Sequence, residues 1–156
     1  MRLGTVLLIS ALTVSPALGA DTGRSWIAWS DKNVTRLIYG TPESEDAVIS
    51  FTCTRATRQL TVVFGHEPVG AKEGMRIGME LFSEGGRVTL DAAGHRVQPY
   101  DIFFLEAKTT LSPALRRILT EGKTLSVMVQ DGVEEIPLQG AAKSAAALIE
   151  ACGVTR

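Results

Sequence analysis

The feature that most constrains the fold is the strict alternation of apolar and polar residues in several short segments. In AVISFTCT at 47–54, Ile49, Phe51 and Cys53 fall on one face and hydroxyl side chains on the other. Successive side chains of a strand point to opposite faces, so this pattern predicts a half-buried strand with Cys53 facing the core. The segment QLTVVF at 59–64 repeats the pattern after a short turn, which predicts a hairpin.

Further segments extend the pattern to about eight strands, with little room for the long crossovers that parallel strands need. These segments are SWIAWS, TRLIYG, RIGMEL, RVTL, DIFFLEA, TLSVMVQ and VEEIPL. Pro137 in the last segment predicts an edge strand, because proline has no amide hydrogen for a second neighbour. The prediction is a mainly β fold, an antiparallel β-sandwich or barrel-like domain with two short α-helices.

The first predicted helix is SPALRRILTEG. Ser112 is expected as its N-cap, Pro113 at the first helical position and Gly122 at its end. The letters GKT that follow are also the end of a phosphate-binding motif, but Arg117 stands where that motif needs a glycine. We therefore interpret Gly122 as a helix stop.

The second predicted helix is SAAALIEACG at 144–153, which carries Cys152 on the same apolar stripe as Leu148 and Ile149. The first residues of the chain predict export, as described in the next paragraph. Two cysteines in an exported chain favour a disulfide, because the compartment outside the cytoplasm is oxidising. A bond between Cys53 and Cys152 would fasten this helix to a strand. It would close a loop of about 100 residues, which stabilises a fold by up to about 4.7 kcal/mol in the chain-entropy model.

The first twenty residues have the layout of a secretory signal peptide, with Arg2, an apolar run and small residues before Ala20. The run of about nine apolar residues is shorter than the roughly 20 that a membrane span needs. We therefore expect residues 1–20 to be removed, residues 21–156 to form a single β-rich domain without a membrane span, and the protein to be periplasmic or secreted.

Charge and composition argue against several classes of function. The formal net charge of −1 provides no basic patch for nucleic acid or an anionic membrane. Two distant cysteines and two distant histidines lack the ligand spacing of a zinc site. We expect no cofactor, no metal and no catalytic residue, and we leave the oligomeric state open.

Three features of the sequence bear on catalysis or metal binding. His66 and His95 stand in turn-like sequences, which favours solvated histidines over catalytic bases. The acidic segment PESEDA at 42–47 lacks the spacing of a calcium loop, which favours solvated loop charge. Paired carboxylates of a small glycan-active hydrolase could still converge in the fold, so that function stays open as an alternative. A second alternative is an inhibitor of a cell-wall hydrolase such as lysozyme, which would present a rigid loop.

The favoured function is a non-enzymatic binding or accessory protein of the cell envelope that contacts another envelope protein or a glycan. Trp26, Trp29 and Tyr39 are candidate contact residues, because large aromatic side chains often anchor partners. The two tryptophans are three apart in a predicted strand, so they are expected on opposite faces. The loops at 42–46 and 68–74 are further candidates.

The tail VMVQDGVEEIPLQGAAKSAAALIEACG, together with the ISFTC strand, resembles the ends of small uncharacterised periplasmic proteins of proteobacteria. It is more loosely similar to accessory proteins of type VI secretion of the VasI type. The resemblance covers about the last 30 residues. It implies an envelope protein with an accessory or binding role, and it brings no catalytic residues.

Overall fold

Nine antiparallel strands form one curled sheet in the computed structural model, which describes residues 23–153. The strands are β1 (Ser25–Ser30), β2 (Val34–Gly40), β3 (Ala47–Thr54), β4 (Gln59–Phe64), β5 (Arg76–Ser83), β6 (Gly86–Val97), β7 (Ile102–Thr109), β8 (Thr124–Val129) and β9 (Gly132–Pro137). Their order across the sheet is β1-β2-β3-β4-β7-β6-β5-β8-β9. The predicted mainly β fold is confirmed, and the predicted signal peptide lies outside the described residues.

The alternation in the sequence sets which face of each strand is buried. In β3, Ile49, Phe51 and Cys53 are buried, and the residues between them are partly exposed. β4 pairs with β3 and continues the same buried face with Leu60 and Val62. The concave side of the curled sheet therefore holds the core, because every strand contributes its apolar face to it.

β6 is longer than its sequence suggests, since the predicted segment ends at Leu90 and the strand continues to Val97. Small residues in this stretch resemble a turn, but Gly94 has a packing reason. A Cβ atom there would clash with Cζ of Phe103 and lie 2.9 Å from Cγ of Met75. The glycine lets these side chains lie against the strand. The prediction of a turn around His95 is therefore wrong, because His95 belongs to β6.

Three short helices pack against the sheet: α1 (Pro113–Glu121), α2 (Ala141–Ser144) and α3 (Ala146–Cys152). In α1 the backbone N–H of Leu115 donates to Oγ of Ser112 at 3.1 Å, which confirms the predicted N-cap. The predicted C-terminal helix begins earlier, at Ala141, and Ala145 divides it in two. Its apolar stripe is confirmed, because Leu148 is fully buried.

Cys53 and Cys152 form a disulfide, with their Cα atoms 5.8 Å apart and their positions 99 apart in sequence. Both side chains are buried. The bond joins the end of β3 to the last residue of α3, so the predicted attachment of the C-terminal helix to the sheet is confirmed.

The connections sort to two ends of the sheet. The loop end carries the segments 41–46, 65–75, 98–101 and 130–131, which join β2 to β3, β4 to β5, β6 to β7 and β8 to β9. The helical end carries the opposite turns, the three helices and the disulfide. This division follows from the antiparallel order, because alternate connections must lie at opposite ends.

β1 and β9 are the two edges of the sheet, as Pro137 predicted for β9. In an antiparallel sheet of nine strands the first and last run in the same direction. The indole N–H of Trp26 crosses between these edges and donates to the carbonyl oxygen of Pro137 at 2.7 Å. Ser144 at the end of α2 donates its hydroxyl to the carbonyl oxygen of Trp26 at 3.1 Å. Side-chain contacts thus bridge the two edges where strand pairing does not.

Within residues 23–153, no helix has both the length and the apolar character that crossing a membrane requires.

Candidate functional site at the loop end

The loop end exposes large apolar side chains that the core does not use. Tyr100 is 77% exposed at the turn between β6 and β7, Ile102 is 56% exposed beside it, and Val97 is exposed opposite Ile102 in the same hairpin. We call Val97, Tyr100 and Ile102 the apolar tip. Val69 in the 65–75 loop is 81% exposed at the same end of the sheet. Exposed apolar groups gathered in this way mark interaction sites more often than single exposed residues do.

Ion pairs around Arg96 brace the apolar tip. The guanidinium lies 2.5 Å from the Glu67 carboxylate and 3.0 Å from the Asp101 carboxylate, and it covers the ring of Phe103 at 5.1 Å. The hydrogen bond to Glu67, followed by that to Asp101, raises the pKa of Arg96 above its ordinary value. Asp101 belongs to the turn itself and Glu67 to the 65–75 loop. One cation therefore joins the two segments.

Glu73 adds a second link between the 65–75 loop and the hairpin. Its carboxylate accepts the backbone N–H of Arg96 at 2.6 Å and lies 3.2 Å from Nδ1 of His95. The backbone hydrogen bond is the larger cause of a pKa of Glu73 below the usual range, and His95 adds to it. His95, placed on a strand rather than in a turn, thus helps to hold the loop.

On its other side, the 65–75 loop is fastened to the turn between β8 and β9. Oδ1 of Asp131 lies 3.0 Å from Nε2 of His66, and Oδ2 accepts the backbone N–H of Val69 at 2.6 Å. The ring of His66 also stacks on Phe64, with centroids 5.5 Å apart. The hydrogen bond to His66, followed by that from the Val69 backbone, lowers the pKa of Asp131. His66 follows a strand, as predicted. Its side chain is partly buried and contacts Asp131 and Phe64.

Replacing Asp131 with alanine is expected to loosen the 65–75 loop and speed the amide hydrogen exchange of Val69. The lowered pKa fixes the sign of the pH dependence. A carboxylate with a depressed folded-state pKa stabilises fully above its unfolded value, about 4, and loses that effect as the pH falls through the folded value. Exchange measured by NMR should therefore show Val69 protection falling in acid in the wild type and no such change in Asp131→Ala.

Glu135→Gln, an exposed change on β9, is the matched control. Unchanged Val69 protection in Asp131→Ala would contradict the fastening.

The 41–46 loop at the same end holds the acidic segment. Asp46 pairs with Arg24 at 3.0 Å and accepts the hydroxyl of Thr41 at 2.9 Å, and the Arg24 bond is the first cause of its lowered pKa. Glu43 and Glu45 are exposed. The acidic segment is therefore a surface loop in which one carboxylate orders the turn.

The aromatic residues predicted as contacts fall into two groups. Trp26 and Tyr39 are buried, with ring centroids 5.3 Å apart. Trp29 is 49% exposed on the outer face of the sheet, where the guanidinium of Arg36 lies 5.7 Å from its ring. The two tryptophans lie on opposite faces, as predicted. Of the three aromatic residues, only Trp29 offers a largely accessible ring to a partner.

Sequence reasoning identified two of the loops at this end, 42–46 and 68–74, and missed the apolar tip. The loop at 68–74 was a candidate and contains Val69. Ile102 belongs to the predicted strand DIFFLEA, and no role is assigned from the sequence to Val97 or Tyr100. The available signal for the tip was Tyr100 between Pro99 and Asp101, because an aromatic residue inside a polar turn has no core to reach.

Hydrogen bonds and ion pairs shift the pKa values of several carboxyl groups. In the described part of the chain, every carboxyl whose pKa clearly departs from its ordinary value has it lowered, and these are Asp31, Asp46, Glu73, Glu84 and Asp131. The groups at the loop end are therefore suited to hydrogen bonding and ion pairing.

Among residues 23–153, no group of three or more His, Cys, Asp or Glu side chains is placed to hold a metal ion.

Comparison of the chain with models of protein families, with curated proteins and with solved structures finds no match.

Proposed function

We propose that this protein is a non-enzymatic binding or accessory module of the cell envelope, and that it contacts another protein through its loop end. The observation that carries the proposal is the apolar tip of Val97, Tyr100 and Ile102, exposed on a hairpin that ion pairs hold in place. Tyrosine is enriched among the residues that dominate binding energy at protein interfaces. A tip of this kind offers a partner a side chain to bury.

The bracing supports binding because ordering a loop costs free energy during association. Arg96 holds both the tip and the 65–75 loop, and Asp131 holds the far side of that loop. A surface ordered before the encounter loses less conformational entropy when it binds. This arrangement favours the reading of the loop end as a preformed contact surface.

The proposed location is the periplasm or the extracellular space. The layout of residues 1–20 supports a signal peptide. The disulfide is consistent with an oxidising compartment. The resemblance of the tail to small periplasmic proteins of proteobacteria agrees with this placement.

Replacing Tyr100 with alanine is expected to weaken partner binding at least tenfold, since truncating a hot-spot residue costs about 2 kcal/mol or more. The melting temperature should stay nearly unchanged, because Tyr100 is exposed. Native mass spectrometry of the protein purified from the organism's envelope identifies the partner that copurifies with it. Isothermal titration calorimetry then measures the affinity of that partner for the wild type and for Tyr100→Ala. Trp29→Ala is the matched control, an exposed aromatic residue on the outer face. Full affinity in Tyr100→Ala with lost affinity in Trp29→Ala would move the contact surface to β1.

A further inference from the structure

The carboxylates beside the apolar tip outnumber the cations that face them. Glu67, Glu73 and Asp101 gather around the single guanidinium of Arg96, with His95 against Glu73. These three carboxylates face the guanidinium of Arg96, with Lys72 exposed in the same loop, so acidic groups are in excess at the base of the tip. The side chains of Glu67, Glu73 and Asp101 are partly exposed, so solvent or a partner can reach their carboxylates.

The net charge of the chain is near zero, but acidic and basic side chains are distributed unequally between the two ends of the sheet. At the loop end, Glu43 and Glu45 add exposed negative charge to the carboxylates around the tip. At the helical end basic side chains outnumber acidic ones, with Lys32, Arg55, Arg58, Arg116, Arg117, Lys123 and Lys143 against Asp31, Glu84, Glu121 and Glu150. The negative potential is thus concentrated where the exposed apolar groups are.

We infer that the partner of the loop end is a cationic protein, with an apolar pocket that receives Tyr100 and a rim of lysine and arginine side chains that faces Glu67, Glu73 and Asp101. The inference rests on the proposed function, in which the tip is the contact. Opposite charges around an apolar centre steer the encounter and suppress wrong partners, because like charges brought together cost free energy. The same charges disfavour an anionic lipid surface as the occupant.

The test is photo-crosslinking in intact cells of the source organism, with a benzophenone amino acid in place of Tyr100 in the full chain. A probe at position 29, on the outer face of β1, is the control for nonspecific capture. We expect position 100 to capture one dominant protein, identified by mass spectrometry, with a strongly basic surface. If position 100 captures no protein while the variant remains folded, the proposed function and this inference both fail. If the captured protein is acidic or neutral, the proposed function stands and this inference is overturned.

The captured protein, once purified, allows a direct test of the charges. Glu67→Gln/Asp101→Asn should weaken binding about tenfold at low salt and flatten its salt dependence, since exposed charges are screened by added salt. The amides can still accept hydrogen bonds from Arg96, so the tip stays braced. Glu121→Gln/Glu150→Gln removes the same charge at the helical end and should bind like the wild type. Equal salt dependence in the wild type and the Glu67→Gln/Asp101→Asn variant would overturn the inference.

Discussion

Replacing Cys152 with serine is expected to lower the free energy of unfolding of the oxidised protein by up to about 4.7 kcal/mol. The bond closes a loop of 99 residues, so it restricts most of the unfolded chain. A single domain has only about 5 to 15 kcal/mol of net stability, so this loss is a large share of the total. Urea unfolding followed by circular dichroism, with and without reductant, measures the effect.

The reduced proteins provide the control for the disulfide. Under reducing conditions the wild type and Cys152→Ser should unfold at nearly the same urea concentration, because neither then has a crosslink. An equal loss under both conditions would mean that the stability came from packing of the sulfur atoms at the end of α3 rather than from the bond.

Trp26→Ala is expected to destabilise the protein by about 3 to 5 kcal/mol, the usual cost of removing a large aromatic side chain from a core. The indole lies against the rings of Tyr39 and Phe51 and donates to the carbonyl oxygen of Pro137. Its loss opens a cavity and also removes the contact between the two edges of the sheet. Thermal and urea unfolding measure the change.

Two variants separate the contributions of Trp26. Trp26→Phe keeps an aromatic ring and loses the hydrogen bond, so its cost should be clearly smaller than that of alanine. Trp29→Ala, on the exposed face, should change the stability by less than about 1 kcal/mol, as is usual for surface positions. Comparable losses in Trp26→Ala and Trp29→Ala would contradict the assignment of Trp26 alone to the core.

Local patterns predicted most of the fold. The alternation in 47–54 and 59–64 fixed which side chains are buried, and Ser112 marked the start of α1 at the correct residue. The pairing of Cys53 with Cys152 followed from the presence of two cysteines in a chain expected to be exported. The alternation and the helix cap depend on neighbours a few residues apart, where periodicity and capping act directly.

The order of the strands and the candidate site depend on distant contacts. Nothing local indicates that β4 pairs with β7 or that β5 pairs with β8. Gly94 resembles a turn residue until Phe103, from the neighbouring strand, is seen to occupy its space. The site required the same information, because Glu67 and Arg96 are 29 residues apart and meet only through the folded loop.

The meeting of the first and last strands has a consequence for how the chain is made. Trp26 forms hydrogen bonds with Pro137 and Ser144, and Cys53 is bonded to Cys152, so these residues find partners that lie 99 to 118 positions later in the chain. β1 cannot complete its packing while the chain still emerges from a ribosome or a translocation channel. The domain therefore reaches its native state only after residues through Cys152 have emerged, and a chain shortened before α2 leaves Trp26 without Ser144 and Cys53 without Cys152.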